Sequence, residues 1–341
     1  MPGLALPAAV FLISAILTGL LRWLALRNRV LDIPVERSAH TIPTPVGGGL
    51  AIVLLSAGFS VYFFSIELLP QHVFMALLGA FAVAAIGLLD DVREIHAKWR
   101  VPLHVAAASW SVAWLGDVAP ISFGVFSLES QWVLRPLAVI ALVWLLNLYN
   151  FMDGIDGIAA SELISVNLVA LLFVINAADG SAAVMTAVLG AAGAGFLVWN
   201  WEPAKIFMGD VGSGFCGFML GLLALITMQQ GTMTVWTWLI LLGVFTVDAT
   251  TTLSRRFLQG ERWYDGHTSH AYQHAARQYK SHSKVTITIL LINVCWLTPW
   301  SIASVVFPKL GFFLSLGALA PLLVLALKFG AGKPGVIAAE S

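Results

Sequence analysis

Eleven predominantly apolar runs of about 20 residues, the length a helix needs to span a bilayer, follow one another along this chain. They begin near Leu4, Val46, Gln71, Val101, Trp132, Ile158, Ala182, Val211, Thr234, Val285 and Lys309; Ala and Gly dominate the fourth and seventh. The fold this predicts is all-α, a polytopic integral membrane protein with about eleven transmembrane helices. Composition agrees, with 59% hydrophobic and 11% charged residues, where a soluble domain has about 45–50% and about 25%. No stretch beyond loop length is left for a soluble domain and no repeat has a fixed period, so residues 1–341 read as a single transmembrane domain. The N-terminal run has no basic residues before it, and Arg22, Arg27 and Arg29 follow it, which is not the order of a cleavable signal peptide. Cys216 and Cys295 both fall in apolar runs and are expected to be small buried hydrophobes.

With the N-terminus outside, the inner segments are loops 27–45, 90–100, 150–157, 200–210 and 254–284 and the C-terminal tail. Counting Arg22 with the first loop, they hold sixteen of the eighteen Lys and Arg; only Arg135 and Lys309 lie outside. That bias is the one that sets orientation in membranes. It also puts every polar cluster of interest on one side.

The densest cluster is NLYNFMDGIDGIAASE, where Asn147, Asn150, Asp153, Asp156 and Glu162 stand against the end of an apolar run. Carboxylates at a membrane boundary are costly and usually functional, and a Gly after each Asp suggests a tight turn with exposed N–H groups that attract phosphate. In GLLDDVREIHAKWR, Asp90 and Asp91 end a helix and point about 100° apart. One can reach a metal while Arg93 or Lys98 holds the other, or the pair is a solvated helix end. In WNWEPAKIFMGDVGSG, Asp210 opens a helix as an N-cap or as a metal ligand, and Phe207 stacks on a flat base or anchors in the interface. The first loop, DIPVERSAHTIPTPVGGG, places Arg37 and His40 before Gly47, Gly48 and Gly49, which permit close backbone approach. In the largest loop His267, His270 and His274 recur at i, i+3, i+7, one face of a helix. With Arg255 and Arg256 before them and Arg277 after, and neither Cys nor HExxH nearby, they suit phosphate better than zinc. Asp248, about two turns inside the ninth run, is suspect as an intramembrane acid.

Hard oxygen ligands without a thiolate pair suit Mg²⁺ or Mn²⁺, and basic clusters beside Gly-rich turns suit a diphosphate. Together these parts describe phosphoryl transfer from a nucleotide donor to a lipid acceptor, with no nucleic acid involved.

The motifs DxPxxRxxHxxPTPxGGG, LLDD, NxxNFMDGIDG, FMGDxGS and HxSHxYQ, in that order from Asp32 to about Lys284, resemble the polyprenyl-phosphate N-acetylhexosamine-1-phosphate transferases (glycosyltransferase family 4). The HTSHAYQHA loop looks most like the O-antigen-initiating branch, related to phospho-MurNAc-pentapeptide translocase. The resemblance implies a bacterial inner-membrane enzyme, N-terminus periplasmic and active-site loops cytoplasmic, that uses a UDP-N-acetylhexosamine and undecaprenyl phosphate and releases UMP. It implies that Asp210 binds Mg²⁺ and that Asp90 and Asp91 lie close to the metal and the acceptor phosphate. Asn150 and Asp153 would line the diphosphate site, Asp156 contact the uracil with Phe207 stacked on it, and His267 and His270 bind donor phosphates. His40, Asn147, Lys98, Arg255 and His274 complete the substrate-binding candidates; His40 stands where the peptidoglycan enzymes carry Lys. A cation-coupled transporter is the alternative, and it would need acids near mid-span in broken helices. The sugar and the oligomeric state, a homodimer included, stay open.

Overall fold

The computed structural model describes residues 5–34, 42–93, 95–177, 180–261 and 267–333. Arg37 and His40 lie outside them. Helix follows helix along the chain: α1 (Ala5–Asn28), α2 (Leu50–Ser65), α3 (Gln71–Val92), α4 (Ala97–Leu115), α5 (Gln131–Met152), α6 (Ile158–Val174), α7 (Ser181–Asn200) and α8 (Asp210–Gln229). Next come α9 (Val235–Leu241), α10 (Gly243–Leu258), α11 (Ala271–Tyr279), α12 (His282–Leu291), α13 (Thr298–Val306) and α14 (Gly311–Lys328). Two antiparallel two-stranded ribbons, Leu31–Asp32 with Thr44–Pro45 and Ile121–Ser122 with Ser127–Leu128, are the strands among the described residues.

Seven helices are long and apolar enough to cross a membrane, taking α12, the π turn Ile292–Leu297 and α13 as one, and α9 with α10 would make eight. Helices α2 and α6 are apolar but shorter. The ninth run is not one straight helix: α9 and α10 meet at 83°. Its apolar content is unbroken across the bend, and only Gly243, a poor helix former, marks the place.

Helix α8 is the hub, with 94% of its apolar window buried against 22% for α1. Its glycines let a neighbour in, as small residues do where lipid supplies no hydrophobic drive. A Cβ on Gly221 would sit 2.6 Å from Leu142 Cδ2, so α5 packs where a larger residue could not fit. At the end of α5, Tyr149 is buried against Phe245 and donates to Ala159 O at 2.6 Å, which fixes the turn into α6. Ile16, Leu172 and Val324 are exposed, as on a surface that meets lipid. Cys216 is buried as expected, whereas Cys295 faces outward from the π turn.

Candidate active site

The end of α3 meets the start of α8. Asp91 Oδ1 accepts from Asp210 N–H (2.8 Å) and Oδ2 from Val211 N–H (3.1 Å), so Asp91 occupies the positive end of α8. Gly209, at φ +77°, makes this approach possible, because a Cβ there would lie 2.6 Å from Asp91 Oδ2. The N-cap role considered for Asp210 is thereby filled by other residues: Gly209 stands at the cap position, Asp91 takes the N–H groups, and Asp210 is the first helical residue. Its carboxylate turns to the centre instead. Oδ1 accepts from Asn150 Nδ2 (2.7 Å), and Oδ2 lies 3.1 Å from an Arg100 nitrogen. Asn150 also donates to Ser213 Oγ at 2.9 Å.

Arg100 was not anticipated. Its guanidinium bridges Asp90 and Asp210, and Asp90 Oδ1 takes the Ile95 N–H at 2.6 Å. Arg93 and Lys98, the holders the sequence offered, do neither: Arg93 is exposed, and the Lys98 ammonium lies 5.9 Å from the Trp99 ring. The phase of α4 explains the exchange, since two residues turn a helix by about 200°. Asp153 follows α5 directly and faces the same centre. Burial above all, then the charges of Asp210, Asp91 and Asp156, push its carboxyl well above the ordinary range. Four carboxyl groups, Asp90, Asp91, Asp153 and Asp210, thus lie near one another, while the one guanidinium among them pairs with Asp90 and Asp210 alone, so acids outnumber cations. The donor set is hard oxygen, the kind Mg²⁺ takes, although no three His, Cys, Asp or Glu side chains gather as a metal cage among the described residues.

The three histidines do not share a helix face. Helix α11 starts at Ala271, so His267 lies ahead of it, His270 caps it and only His274 is helical. Asp248 sets that start. It accepts from Ala271 N–H and Tyr272 N–H (both 2.9 Å) and from Thr252 Oγ1 (3.1 Å), and it lies 3.3 Å from His270 Nδ1. The His267 and His270 rings are 4.9 Å apart, and Phe151 packs 6.0 Å from His267. Tyr272 Oη donates to Phe151 O at 2.9 Å, joining this segment to the acid centre. Burial, then the charges of His270 and Arg256, lower His267 to about 4, so its ring is neutral at neutral pH. Both of its ring nitrogens and His270 Nε2 are buried with no partner among the described residues, an arrangement that an anionic ligand would complete. His274 points elsewhere, 3.3 Å from Lys333 O. Of the two arginines, Arg256 turns toward the His segment, donating to Ser269 Oγ at 3.3 Å and pairing with Glu261, whereas Arg255 donates to Ala331 O.

Asp156 has a holding duty. Its Oδ2 takes the Ala204 N–H at 3.0 Å, and His282 Nδ1 lies 3.4 Å from Oδ1. Glu202 accepts from Ser281 Oγ, His282 N–H and Ser283 N–H. Burial alone would raise the Glu202 carboxyl; these hydrogen bonds prevail and hold it at about 2. Phe207 is half-buried and fixed by its backbone, which exchanges hydrogen bonds with Pro45 O and Gly48 N–H. Gly48 and Gly49 therefore approach the 207–208 backbone, and the first loop is fastened to the site. Asn147 donates within α5, to Val143 O, and is not drawn into the centre. Glu162 is fully buried but pairs with Asn293 Nδ2 at 2.6 Å instead of joining a chain of acids, so nothing supports the transporter alternative.

Residues 73–228 match the family described as Glycosyl transferase family 4. A probable undecaprenyl-phosphate N-acetylglucosaminyl 1-phosphate transferase of Bacillus subtilis is 30% identical over 308 residues, covering 88% of this chain and 84% of that protein. A decaprenyl-phosphate N-acetylglucosaminephosphotransferase of Mycolicibacterium smegmatis is 34% identical over 229 residues, 62% of this chain and 56% of that one. A phospho-N-acetylmuramoyl-pentapeptide-transferase of Nitratidesulfovibrio vulgaris is 30% identical over 217 residues, 55% of this chain and 60% of that one. The chain belongs to glycosyl transferase family 4, among the polyprenyl-phosphate sugar-1-phosphate transferases of the membrane.

Proposed function

We propose that this enzyme transfers N-acetylglucosamine-1-phosphate from UDP-N-acetylglucosamine to undecaprenyl phosphate, releasing UMP and initiating a lipid-linked surface glycan such as O-antigen. The observation that carries the reading is the surplus of carboxylates at the start of α8 beside the His267–His270 pair, in which both His267 ring nitrogens and His270 Nε2 are buried without a partner among the described residues. The names of the relatives support N-acetylglucosamine ahead of other hexosamines. The enzyme crosses the bacterial inner membrane about eleven times, with α2, α4, α6 and the bent α9–α10 pair among the spans. The sixteen-to-two bias of Lys and Arg supports a cytoplasmic site.

The acceptor phosphate monoester has a second pKa of about 6, so at neutral pH it attacks without a protein base. An acceptor oxygen bonds to the sugar-bearing phosphorus, and the bond from that phosphorus to the bridging oxygen of UMP breaks. Asp210, with Asp90 and Asp153 beside it, would hold a Mg²⁺ or Mn²⁺, which would neutralise charge on the donor diphosphate. That the point between Asp90 and Asp210 already holds a guanidinium supports its preference for a cation. Asn150 keeps the Asp210 carboxylate turned inward, and Asp91, spent on α8, keeps that helix in place. His267, His270 and Arg256 face the donor phosphates; Phe207 stacks on uracil and Asp156 meets its edge. The prenyl chain lies in a groove of about 480 Å³ lined by Trp144, Leu253, Ser254, Phe257 and Leu258, between α5 and α10.

Purified protein given undecaprenyl phosphate and a panel of UDP-sugars should release UMP and form a lipid diphosphate sugar, fastest with UDP-N-acetylglucosamine. Absence of UMP with every donor would overturn the reading. Turnover only with another N-acetylhexosamine would reassign the sugar.

A further inference from the structure

Beyond α14 the chain folds back onto the His segment. Ala331 is fully buried in a small cluster with Ala271 and Ala326, flanked by Phe329 and Val247. Gly332 N–H donates to Ser269 O at 2.8 Å, the residue next to His270. Arg255 donates to Ala331 O at 3.2 Å, and His274 Nε2 lies 3.3 Å from Lys333 O. The fit is close: Gly332 has φ +73°, and a Cβ there would lie 2.7 Å from Arg255 Cβ. On its other side the same segment is held by Asp248 through Ala271 and Tyr272. Ser269–Tyr272 is therefore gripped from two directions, by α10 and by residues 329–333.

We infer that residues 329–333 form a strap that positions the His267–His270 pair for the donor diphosphate, and that Arg255 anchors the strap instead of contacting substrate. The inference rests on the phosphotransferase reading above. Histidines on a loop hold a fixed geometry only if their support is rigid. The strap supplies that support from an element the acid centre does not touch.

Two truncated chains test it, one ending at Lys328 and one at Lys333, with Arg255→Ala made in both. Loss of the strap should raise the KM for the UDP-sugar on the order of 10-fold, short of the roughly 10²-fold that gross misplacement costs, with kcat little changed. Hydrogen exchange at residues 267–274 should quicken in the same variant, and the chain ending at Lys333 should behave as the full chain does. Arg255→Ala should reproduce the KM rise when the strap is present and add nothing when it is absent, as partners in one contact do. An additive effect of Arg255→Ala would make it a direct ligand and overturn the inference. So would an equal loss in the chain ending at Lys333, or unchanged KM and exchange without the strap. If the full chain turns over no UDP-sugar, the phosphotransferase reading fails, while exchange still judges the strap.

Discussion

Two acid-bearing regions lie within one site and differ in how their charge is met. Asp248 is buried on α10 with its lone pairs taken: two backbone N–H groups, the Thr252 hydroxyl and the His270 ring surround it. At the start of α8, Asp90 and Asp210 share one guanidinium, Asp91 is met only by two backbone N–H groups, and Asp153 has no partner to offset its burial among the described residues. A satisfied carboxylate organises the fold. Carboxylates left in excess call for a cation, because charge removed from water must be matched. The comparison separates scaffold from chemistry by counting partners, where residue type alone treats the five acids as equals.

The largest expected effect is at the surplus side. Asp210→Asn keeps the shape and the place at the first turn of α8, yet turnover should fall on the order of 10²-fold or more, the scale of losing one preorganised electrostatic contact. Thermal stability should hold, since the side chain caps nothing. Near-normal turnover would erase the distinction between the two regions.

Asp248→Asn should show the opposite pattern. An amide can serve one of the two backbone N–H groups but presents a donor to the other, at a cost of about 1–3 kcal/mol for a buried unsatisfied group. The melting temperature should drop clearly, with turnover within about tenfold of normal. A stable but inactive variant would move Asp248 into the chemistry.

Much of the surplus side was legible in the sequence, because Asn150, Asp153 and Asp210 stand at the ends of apolar runs where nothing structural requires such density. Arg100 was not, since its reach depends on the phase of α4, which no local pattern fixes. The satisfied side is hidden for a related reason. The i, i+3, i+7 spacing of His267, His270 and His274 fits a helix, but the helix starts at Ala271 because a carboxylate 23 residues earlier takes its first N–H groups. The bend between α9 and α10 leaves no mark in hydropathy, which reports apolar content and not direction.

Glu202 gives the smallest effect and a pH signature. With its folded carboxyl at about 2 against an ordinary 4.5, its hydrogen bonds add stability that is full above pH 4.5 and fades as pH falls toward 2. Glu202→Gln should therefore melt below the full chain at pH 6, and the gap should close on acidification below 4.5. A gap that is constant with pH would mean the charge of Glu202 contributes nothing.

The central claim, that surplus negative charge at the start of α8 is a cation site, is tested most directly by binding of Mn²⁺, followed by electron paramagnetic resonance on detergent-purified protein without substrates and again with UMP. The account predicts that the full chain and the Asp248→Asn variant take up Mn²⁺ with similar affinity, while Asp210→Asn binds far more weakly in both conditions. Equal Mn²⁺ binding by Asp210→Asn and the full chain, or loss of binding in Asp248→Asn alone, would contradict it.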